Sequence, residues 1–357
     1  MPDSAHALAA LLPDAGVDVM LVTELVNVRY LTGYTGSNGI AFVGPELRAF
    51  ATDFRYREQV ADEVEPSFER HEAPRDLVKA VDGVLPGGEL RLGFEAGHTS
   101  VRDFNRLREQ LPGRIELVAT DGLIERLRAV KRPDEVARMR AATALADRAL
   151  ELVLEQGLVG RTENELALAL EVEMRRSGAR RPSFETIVAS GPHGARPHAQ
   201  PRDVEIGHGQ LVVIDWGAEL DGYCSDCTRT VATGEPGEHA REIYALVLSA
   251  QLAGLAAVRA GAACKKVDAV AREVIDSAGY GEHFGHGLGH GVGLEIHEAP
   301  WLSQRSDGTL EDGNAVTVEP GVYLPGAFGV RIEDLVVARP GEPEVLTSIT
   351  KELTVVG

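Results

Sequence analysis

The stretch VVIDWGAELDGYCSDCTRTV, residues 212–231, predicts a β-hairpin. Its apolar start predicts one strand, and the alternating run near its end predicts a second strand. Asp221 and Gly222 lie between the two runs. Asp-Gly is a strong signal for a two-residue type I′ turn, because both residues of that turn need a positive φ. This turn would pair Leu220 with Tyr223 and so fix the register of both strands.

Two carboxylates share one face of the predicted hairpin. The register places Asp215 opposite Thr228 and makes Asp226 a diagonal neighbour, roughly 7–8 Å away at Cα. Buried carboxylates are costly unless they are paired or bind a metal ion. The hairpin alone is equally compatible with a cation site and with a solvated strand face that carries two ordinary acids.

Length and composition predict a two-domain globular protein. The chain has 357 residues, more than a single core usually holds, and 44% of them are hydrophobic and 25% charged. The net charge of −19 argues against nucleic acid or an anionic membrane as a partner, because phosphate binding needs clustered Lys and Arg.

Cysteine content and the N-terminal sequence bear on location. Three cysteines are too few for a disulfide framework, and we interpret Cys224 and Cys227 as packing residues. The apolar run near the N-terminus lacks a basic region before it and is interrupted by Pro13 and Asp14, so we expect no signal peptide. No run reaches the ~18 to 20 apolar residues of a membrane span. These features predict a cytoplasmic protein.

The chain divides into a first domain over 1–125 and a second over 126–357. Short apolar runs alternate with helical patterns in the first domain, which predicts an α/β fold. Its Gly-rich segment 27–39 lacks a phosphate-loop signature, and we interpret it as a structural turn. The basic run over 124–132 is interpreted as a solvated linker face before a helix start at Pro133.

The second domain repeats one order of elements, with two helices before each acidic strand pair. This order predicts a duplicated α/β unit in which each half donates ligands to a site between them. The predicted helices are 135–156, 162–176, 238–259 and 265–278, and the strands of the second pair are 315–319 and 330–338.

The second half contributes further acids and a histidine. Glu319 ends the run VTVE, and Glu333 lies in VRIED, where we expect it to share a strand face with Arg331. His290 lies in FGHGLGHG, whose interleaved glycines argue against a helix and therefore against an HExxH zinc site. Four carboxylates and one histidine suit Mn²⁺, Co²⁺ or Zn²⁺, and shared carboxylates can bridge two ions.

The chain resembles the pita-bread dinuclear metallopeptidases over its whole length. The motifs that carry the resemblance are DxGAxxxGYxSDxTRT, GHGxGLExHE, VEPG and VRIED. The resemblance implies a creatinase/prolidase-type N-terminal domain and a catalytic pita-bread domain. It also implies two divalent metal ions, with Asp215 on one ion, His290 and Glu319 on the other, and Asp226 and Glu333 bridging them.

The resemblance also implies roles beyond the metal ligands. Glu319 is a candidate general base for the attacking water. His198 and His297 match two histidines that contact substrate and stabilise the tetrahedral intermediate. Arg331 is expected to neutralise and orient a ligand carboxylate. Tyr223 matches an aromatic residue beside the site and is expected to contact substrate. The resemblance further implies proline-containing peptides as substrates and a homodimer.

Two activities of this family remain open, along with a remote non-catalytic binding module that intact ligands disfavour. An Xaa-Pro dipeptidase must bind a free C-terminal carboxylate, for which Arg is well suited. After HEAP this chain has Trp301, an apolar residue where a carboxylate clamp could have stood, and Arg305 follows only later. We therefore favour an Xaa-Pro aminopeptidase over a prolidase, with Trp301 contacting substrate.

Overall fold

A computed structural model describes residues 4–356, which divide into two compact units between Arg128 and Ala129. The first unit is a six-stranded mixed sheet in the order β4-β3-β2-β1-β5-β6, with helices around it. Its helices are α1 (Ser4–Leu11), α2 (Leu25–Thr32), α3 (Arg57–Glu63), α4 (Val81–Val84), α5 (Val101–Gln110) and α6 (Leu123–Ala129). Its strands are β1 (Val19–Val22), β2 (Ile40–Val43), β3 (Arg48–Thr52), β4 (Glu69–Glu72), β5 (Leu90–Glu95) and β6 (Ile115–Thr120).

Two interpretations of the first 132 residues were wrong. The segment 27–39 is not simply a turn, because helix α2 covers residues up to Thr32 and ends at Gly33, which has a φ of 83°. The basic run is not a solvated face throughout. Arg128 is buried and donates to Asn27. Lys131 and Glu298 both belong to the second unit and are buried against each other, with Lys131 Nζ 2.8 Å from Glu298 Oε2.

The second unit contains two helix pairs and the strands that they cover. The helices are α7 (Pro133–Leu154), α8 (Glu163–Arg176), α9 (Glu238–Ala257) and α10 (Cys264–Ser277). The strands of the first half are β7 (Arg181–Pro182), β8 (Ile187–Ser190), β9 (Leu211–Trp216), β10 (Ala218–Leu220), β11 (Tyr223–Cys224) and β12 (Cys227–Ala232). Those of the second half are β13 (Gly289–Gly291), β14 (Glu298–Leu302), β15 (Ala315–Val318), β16 (Gly321–Leu324), β17 (Phe328–Arg331), β18 (Asp334–Val337) and β19 (Glu344–Val345).

Each helix pair buries its apolar face on the strands of its own half. Leu150 of α7 and Leu166 of α8 share a core with Trp216 of β9. Val247 of α9 shares a separate core with Val336 of β18. The predicted order of two helices and an acidic strand pair, used twice, is therefore confirmed.

The two halves meet where the hairpin strand β12 lies beside the acidic strands of the second half. Glu333 N donates to Thr228 O at 3.1 Å, and Thr230 Oγ1 donates to Arg331 O at 3.0 Å. One prediction here was wrong. The segment 330–338 is not one continuous strand, because β17 ends at Arg331 and β18 begins at Asp334, so Glu333 lies in the link between them.

Candidate functional site

The hairpin forms with the predicted turn and register. Asp221 and Gly222 have φ values of 50° and 87°, as a type I′ turn requires. Leu220 pairs with Tyr223, and Asp215 pairs with a residue of β12, Thr228. Asp215 lies on β9, and Asp226 lies in a short break between β11 and β12, so the predicted second strand of the hairpin is divided in two.

Three carboxylates from the two halves converge at this point. Ligand oxygens of Asp215, Asp226 and Glu333 all lie within 4.8 Å of one another. Thr228 Oγ1 donates to Glu333 Oε2 at 2.7 Å. Asp215 Oδ1 is buried and has no hydrogen-bond partner among residues 4–356. A buried carboxylate oxygen without a donor needs a cation or a proton.

His290 and Glu319 lie beside the three acids. His290 Nε2 is 3.3 Å from Glu319 Oε1 and 3.6 Å from Asp226 Oδ2. His290 Nδ1 lies 3.1 Å from the carbonyl oxygen of Gly291, which can only accept a hydrogen bond. Nδ1 therefore carries a hydrogen, and Nε2 is the nitrogen that faces the acids, as in histidines that bind metal ions through Nε2.

Glycines let the strand that carries His290 fit between its neighbours. A Cβ on Gly289 would lie 2.0 Å from Thr317 O, and one on Gly291 would lie 2.3 Å from Ala299 O. Both contacts are with backbone, so any side chain would push strand β13 away from β14 and β15. The Gly/His pattern of this segment thus has a packing reason, and His290 depends on it for its position.

The pKa values of the acids in the site are shifted in different directions. Burial raises the pKa of Asp226 well above its usual range, and the neighbouring Glu333 and Asp215 raise it further. Burial raises the pKa of Glu333 in the same way, together with Glu319 and Asp215. Burial also acts on Glu319, but the hydrogen bond from His290 and the charges of His290, His286 and Arg331 together outweigh it and lower the pKa of Glu319 to about 2.

Arg331 is held in the site by four hydrogen bonds. Nη2 donates to Asp215 Oδ2 at 2.6 Å, and Nε donates to Thr228 Oγ1 at 3.0 Å. Nη1 donates to Pro197 O at 3.1 Å and to the hydroxyl of Tyr323 at 2.9 Å. We define the acid cluster as Asp215, Asp226 and Glu333. The guanidinium of Arg331 therefore ties one carboxylate of this cluster, Asp215, to the backbone of a neighbouring loop.

A cavity of about 520 Å³ is lined by the four acids, His290 and Arg331. His198, His297 and Trp301 also line it, as the sequence predicts. The rings of His290 and His297 have centroids 4.4 Å apart, and Trp301 stacks on His297 with centroids 6.2 Å apart. Apolar side chains from both halves complete the wall; they are Phe184, Ile187, Pro197, Pro201 and Ile296.

Tyr223, a predicted site residue, and Arg305, a possible carboxylate clamp of the alternative activity, lie elsewhere. Tyr223 does not line this cavity; it is buried, and its hydroxyl donates to Glu135 Oε1 at 2.8 Å. Its placement contradicts the expected substrate contact, because that hydroxyl is already used in the core. Arg305 is exposed and is absent from the cavity lining, so it does not support a carboxylate clamp.

Sequence reasoning missed three residues of the site. Thr228 donates to Glu333, and its position opposite Asp215 in the predicted register was the available signal. His286 lines the cavity, and its Nε2 is 3.0 Å from the Tyr323 hydroxyl. Tyr323 had no sequence signal beyond its place four residues after Glu319.

The donor set fits divalent cations. Carboxylate oxygens with one imidazole nitrogen are ligands that Mn²⁺, Co²⁺ and Zn²⁺ accept. The raised pKa values of Asp226 and Glu333 reflect burial first and then like charges held together, and a dication between them would relieve that repulsion. Among residues 4–356 no helix has the length and apolarity that crossing a membrane requires.

Comparisons with known proteins show the family of the chain. Residues 137–340 match Metallopeptidase family M24, and residues 6–130 match the Creatinase/Prolidase N-terminal domain. The chain is 35% identical to the Xaa-Pro dipeptidase of Pyrococcus furiosus over 360 positions, which cover 99% of this chain and 100% of that protein.

Solved structures show the same architecture. The Xaa-Pro dipeptidase from Bacillus anthracis has a TM-score of 0.93 and 40% identity, over 99% of both chains. The X-Pro aminopeptidase from Thermotoga maritima has a TM-score of 0.89 and 36% identity, over 96% of this chain and 98% of that one. The chain therefore belongs to metallopeptidase family M24, with a creatinase/prolidase-type N-terminal domain and a C-terminal pita-bread domain.

Proposed function

We propose that the protein is a divalent-metal-dependent Xaa-Pro dipeptidase, which hydrolyses the bond between an N-terminal residue and a C-terminal proline. The observation that carries the proposal is the set of three carboxylates within 4.8 Å of one another, beside His290 and Glu319 in one cavity. The choice of dipeptides follows the full-length relatives, two of which are Xaa-Pro dipeptidases at 35% and 40% identity. It reverses the sequence-based preference for an aminopeptidase.

Five residues would hold two metal ions in this proposal. Asp215 would bind one ion, and His290 and Glu319 would bind the other, with Asp226 and Glu333 shared between them. When bound, such ions polarise the carbonyl of the scissile bond and lower the pKa of water. The choice among Mn²⁺, Co²⁺ and Zn²⁺ stays open, because this ligand set accepts each of them.

The remaining cavity residues would bind and orient the peptide. Glu319, whose pKa is about 2, is ionised at neutral pH and can accept a proton from the attacking water. His198 and His297 border the acids from opposite segments of the chain, where their nitrogens can donate to the carbonyl oxygen as it gains charge. Arg331 holds Asp215 in place through the 2.6 Å bond. The apolar wall suits a proline ring.

A second candidate, Xaa-Pro aminopeptidase, is favoured by one feature of the cavity. Within the part of the chain that the structure describes, Arg331 is the only arginine or lysine that lines the cavity, and four of its five side-chain N–H donors bond to protein groups. Beyond one remaining N–H of Arg331, which already pairs with Asp215, the described cavity lining therefore offers no guanidinium or ammonium group to a free C-terminal carboxylate. Trp301, which is 52% exposed at the cavity, could instead contact a longer peptide.

One substrate series separates the two activities. Metal-stripped protein is reconstituted with Mn²⁺, Co²⁺ or Zn²⁺ and given Ala-Pro, Ala-Pro-amide and Ala-Pro-Ala, with Ala-Ala as the control without proline. A dipeptidase cleaves Ala-Pro at least about tenfold faster than the amide, because only the dipeptide has the terminal carboxylate. Faster release of alanine from Ala-Pro-Ala would overturn the dipeptidase in favour of the aminopeptidase. No cleavage with any metal would overturn both.

The predicted homodimer and cytoplasmic location stay predictions. Light scattering coupled to size exclusion would measure the mass in solution against the 38.2 kDa of one chain.

A further inference from the structure

Glu163 is a buried carboxylate outside the acid cluster. It is the first residue of helix α8, and none of its surface is exposed. Nothing in the proposed chemistry uses it. A buried carboxylate at this position requires an explanation, since Glu is rarely fully buried unless it is paired.

Its two oxygens accept six hydrogen bonds, three each, from residues 190, 193 and 202. Oε1 accepts from Ser190 N, Ser190 Oγ and Arg202 Nη2, at 2.8, 2.8 and 3.0 Å. Oε2 accepts from His193 Nδ1, Arg202 N and Arg202 Nε, at 3.0, 3.1 and 3.0 Å. Burial raises the pKa of Glu163, but the bonds from Arg202 and Ser190 outweigh it, and the pKa is lowered. The carboxylate is therefore ionised in the folded protein.

The donors lie at or near the two ends of one loop. We define the histidine loop as residues 190–202, which begin where strand β8 ends and include His198. Ser190 lies at its start, His193 lies in its first turn, and Arg202 lies at its end. A single side chain thus fixes both ends of the loop through main-chain N–H groups as well as side chains.

The histidine loop forms one wall of the cavity. Residues 197–201 all line it, and Pro197 O accepts a hydrogen bond from Arg331. The ring of His198 is exposed and makes no hydrogen bond to a protein group within residues 4–356. Its position therefore depends on the backbone of the loop, since no side-chain partner holds the imidazole.

We propose that Glu163 is a positioning residue of the active site, which fixes the histidine loop so that His198 is held at the acid cluster. The proposal rests on the proposed function, because His198 matters only if the cavity binds a peptide. Glu163 contacts neither substrate nor metal in this proposal and acts through His198.

A double-mutant cycle tests the coupling. In Glu163→Gln an NH2 group replaces one of the two accepting oxygens. The loop groups that donate to that oxygen then face another donor, and we expect the loop to loosen. We expect kcat/KM to fall about 10- to 100-fold, the range for residues that orient active-site groups, with most of the loss in kcat and unchanged affinity for Mn²⁺ in calorimetry. In a His198→Ala background the same substitution should cost less than about threefold, because the group through which it acts is already gone.

Glu165→Gln is the matched control. Glu165 lies on the same first turn, is exposed, and accepts from Thr162 N at 2.8 Å as part of a capping box. Its substitution changes the charge of the same helix turn without touching the histidine loop, so kcat/KM should stay unchanged. If Glu163→Gln does not fold, Arg202→Met removes two of the six bonds, both from a side chain that is 44% exposed, and the same coupling to His198 is expected.

Hydrogen exchange gives a readout that needs no peptidase activity. Amides of residues 190–202 should exchange faster in Glu163→Gln, while those of strands β9 and β15 stay protected. Unchanged exchange in the histidine loop would overturn the proposal, and so would losses in kcat/KM that multiply in the double mutant. If the wild-type protein cleaves no proline peptide, the proposed function fails, and the exchange result still decides whether Glu163 fixes the loop.

Discussion

Two sets of carboxylates in the second unit, Glu163 and the acid cluster, differ in how the chain satisfies them. Glu163 receives six hydrogen bonds from donors of the same chain. In the acid cluster, Thr228 donates to Glu333 and Arg331 donates to Asp215, while Asp215 Oδ1 has no partner within residues 4–356.

The pKa directions follow the same difference. Burial raises the pKa at both places, but at Glu163 the donors outweigh it and the pKa is lowered. At Asp226 and Glu333 the neighbours are acids, and the pKa is raised well above its usual range. A satisfied carboxylate indicates a structural role, whereas an unsatisfied cluster indicates a cation that the chain itself does not supply.

The largest expected effect is on activity. Glu333→Gln removes a shared carboxylate while keeping the shape of the side chain, and we expect kcat/KM to fall at least about 10³-fold, since polarisation by metal ions contributes several kcal/mol. Affinity for Mn²⁺ should weaken in the same variant when measured by calorimetry. The control is Glu342→Gln, at an exposed position, which should leave both values unchanged. Full activity in Glu333→Gln would contradict the assignment of the cluster as a metal site.

The second-largest expected effect is the loss of thermal stability on metal removal. Ions that bind the folded state alone stabilise it by about 2.7 kcal/mol at a concentration of 100 Kd. The Tm of the metal-stripped protein should therefore rise on titration with Mn²⁺ in differential scanning fluorimetry, and a chelator should reverse the change. The same titration of Glu333→Gln should give a smaller rise, and an equal rise would place the ions elsewhere.

Glu163→Gln should destabilise the folded protein in either metal state. Breaking one side of a buried, hydrogen-bonded charge leaves its donors unsatisfied, and we expect a loss of about 2 kcal/mol in the free energy of unfolding. Urea denaturation monitored by Trp fluorescence would measure it. A variant as stable as the wild type would show that the six hydrogen bonds contribute nothing net to stability.

Asp226→Asn should increase the free energy of unfolding of the metal-stripped protein, whereas Glu163→Gln decreases it. A carboxyl whose folded pKa is raised contributes stability below its unfolded pKa and loses it as pH rises through the folded pKa. Asn removes that loss, so we expect a gain of about 1 kcal/mol at neutral pH. The gain should shrink as pH falls toward the ordinary carboxyl range, which denaturation at several pH values would show. Destabilisation at neutral pH would contradict the raised pKa of Asp226.

Local sequence signals were sufficient for the hairpin and most helices. The Asp-Gly turn set the register because a two-residue loop leaves one pairing, and the capping box of Thr162 and Glu165 marks the start of α8, as the structure has it. Short elements were harder. Helix α2 and strand β4 lack a clear apolar period, and strand β4 consists of charged, mostly exposed residues. The break in the strand at Glu333 arises where the two strand pairs meet.

The sequence by itself determined the chemistry of this protein: the acidic hairpin, the Gly/His segment and the motifs of a metallopeptidase. These depend on residue type and local spacing, which the chain carries directly. Only the tertiary structure decided which donors each carboxylate receives. It placed Tyr223 in the core, left Arg305 outside the cavity, and brought Ser190 and Arg202 together on Glu163. Such contacts join residues far apart in sequence, and their geometry arises only when the strands and helices pack.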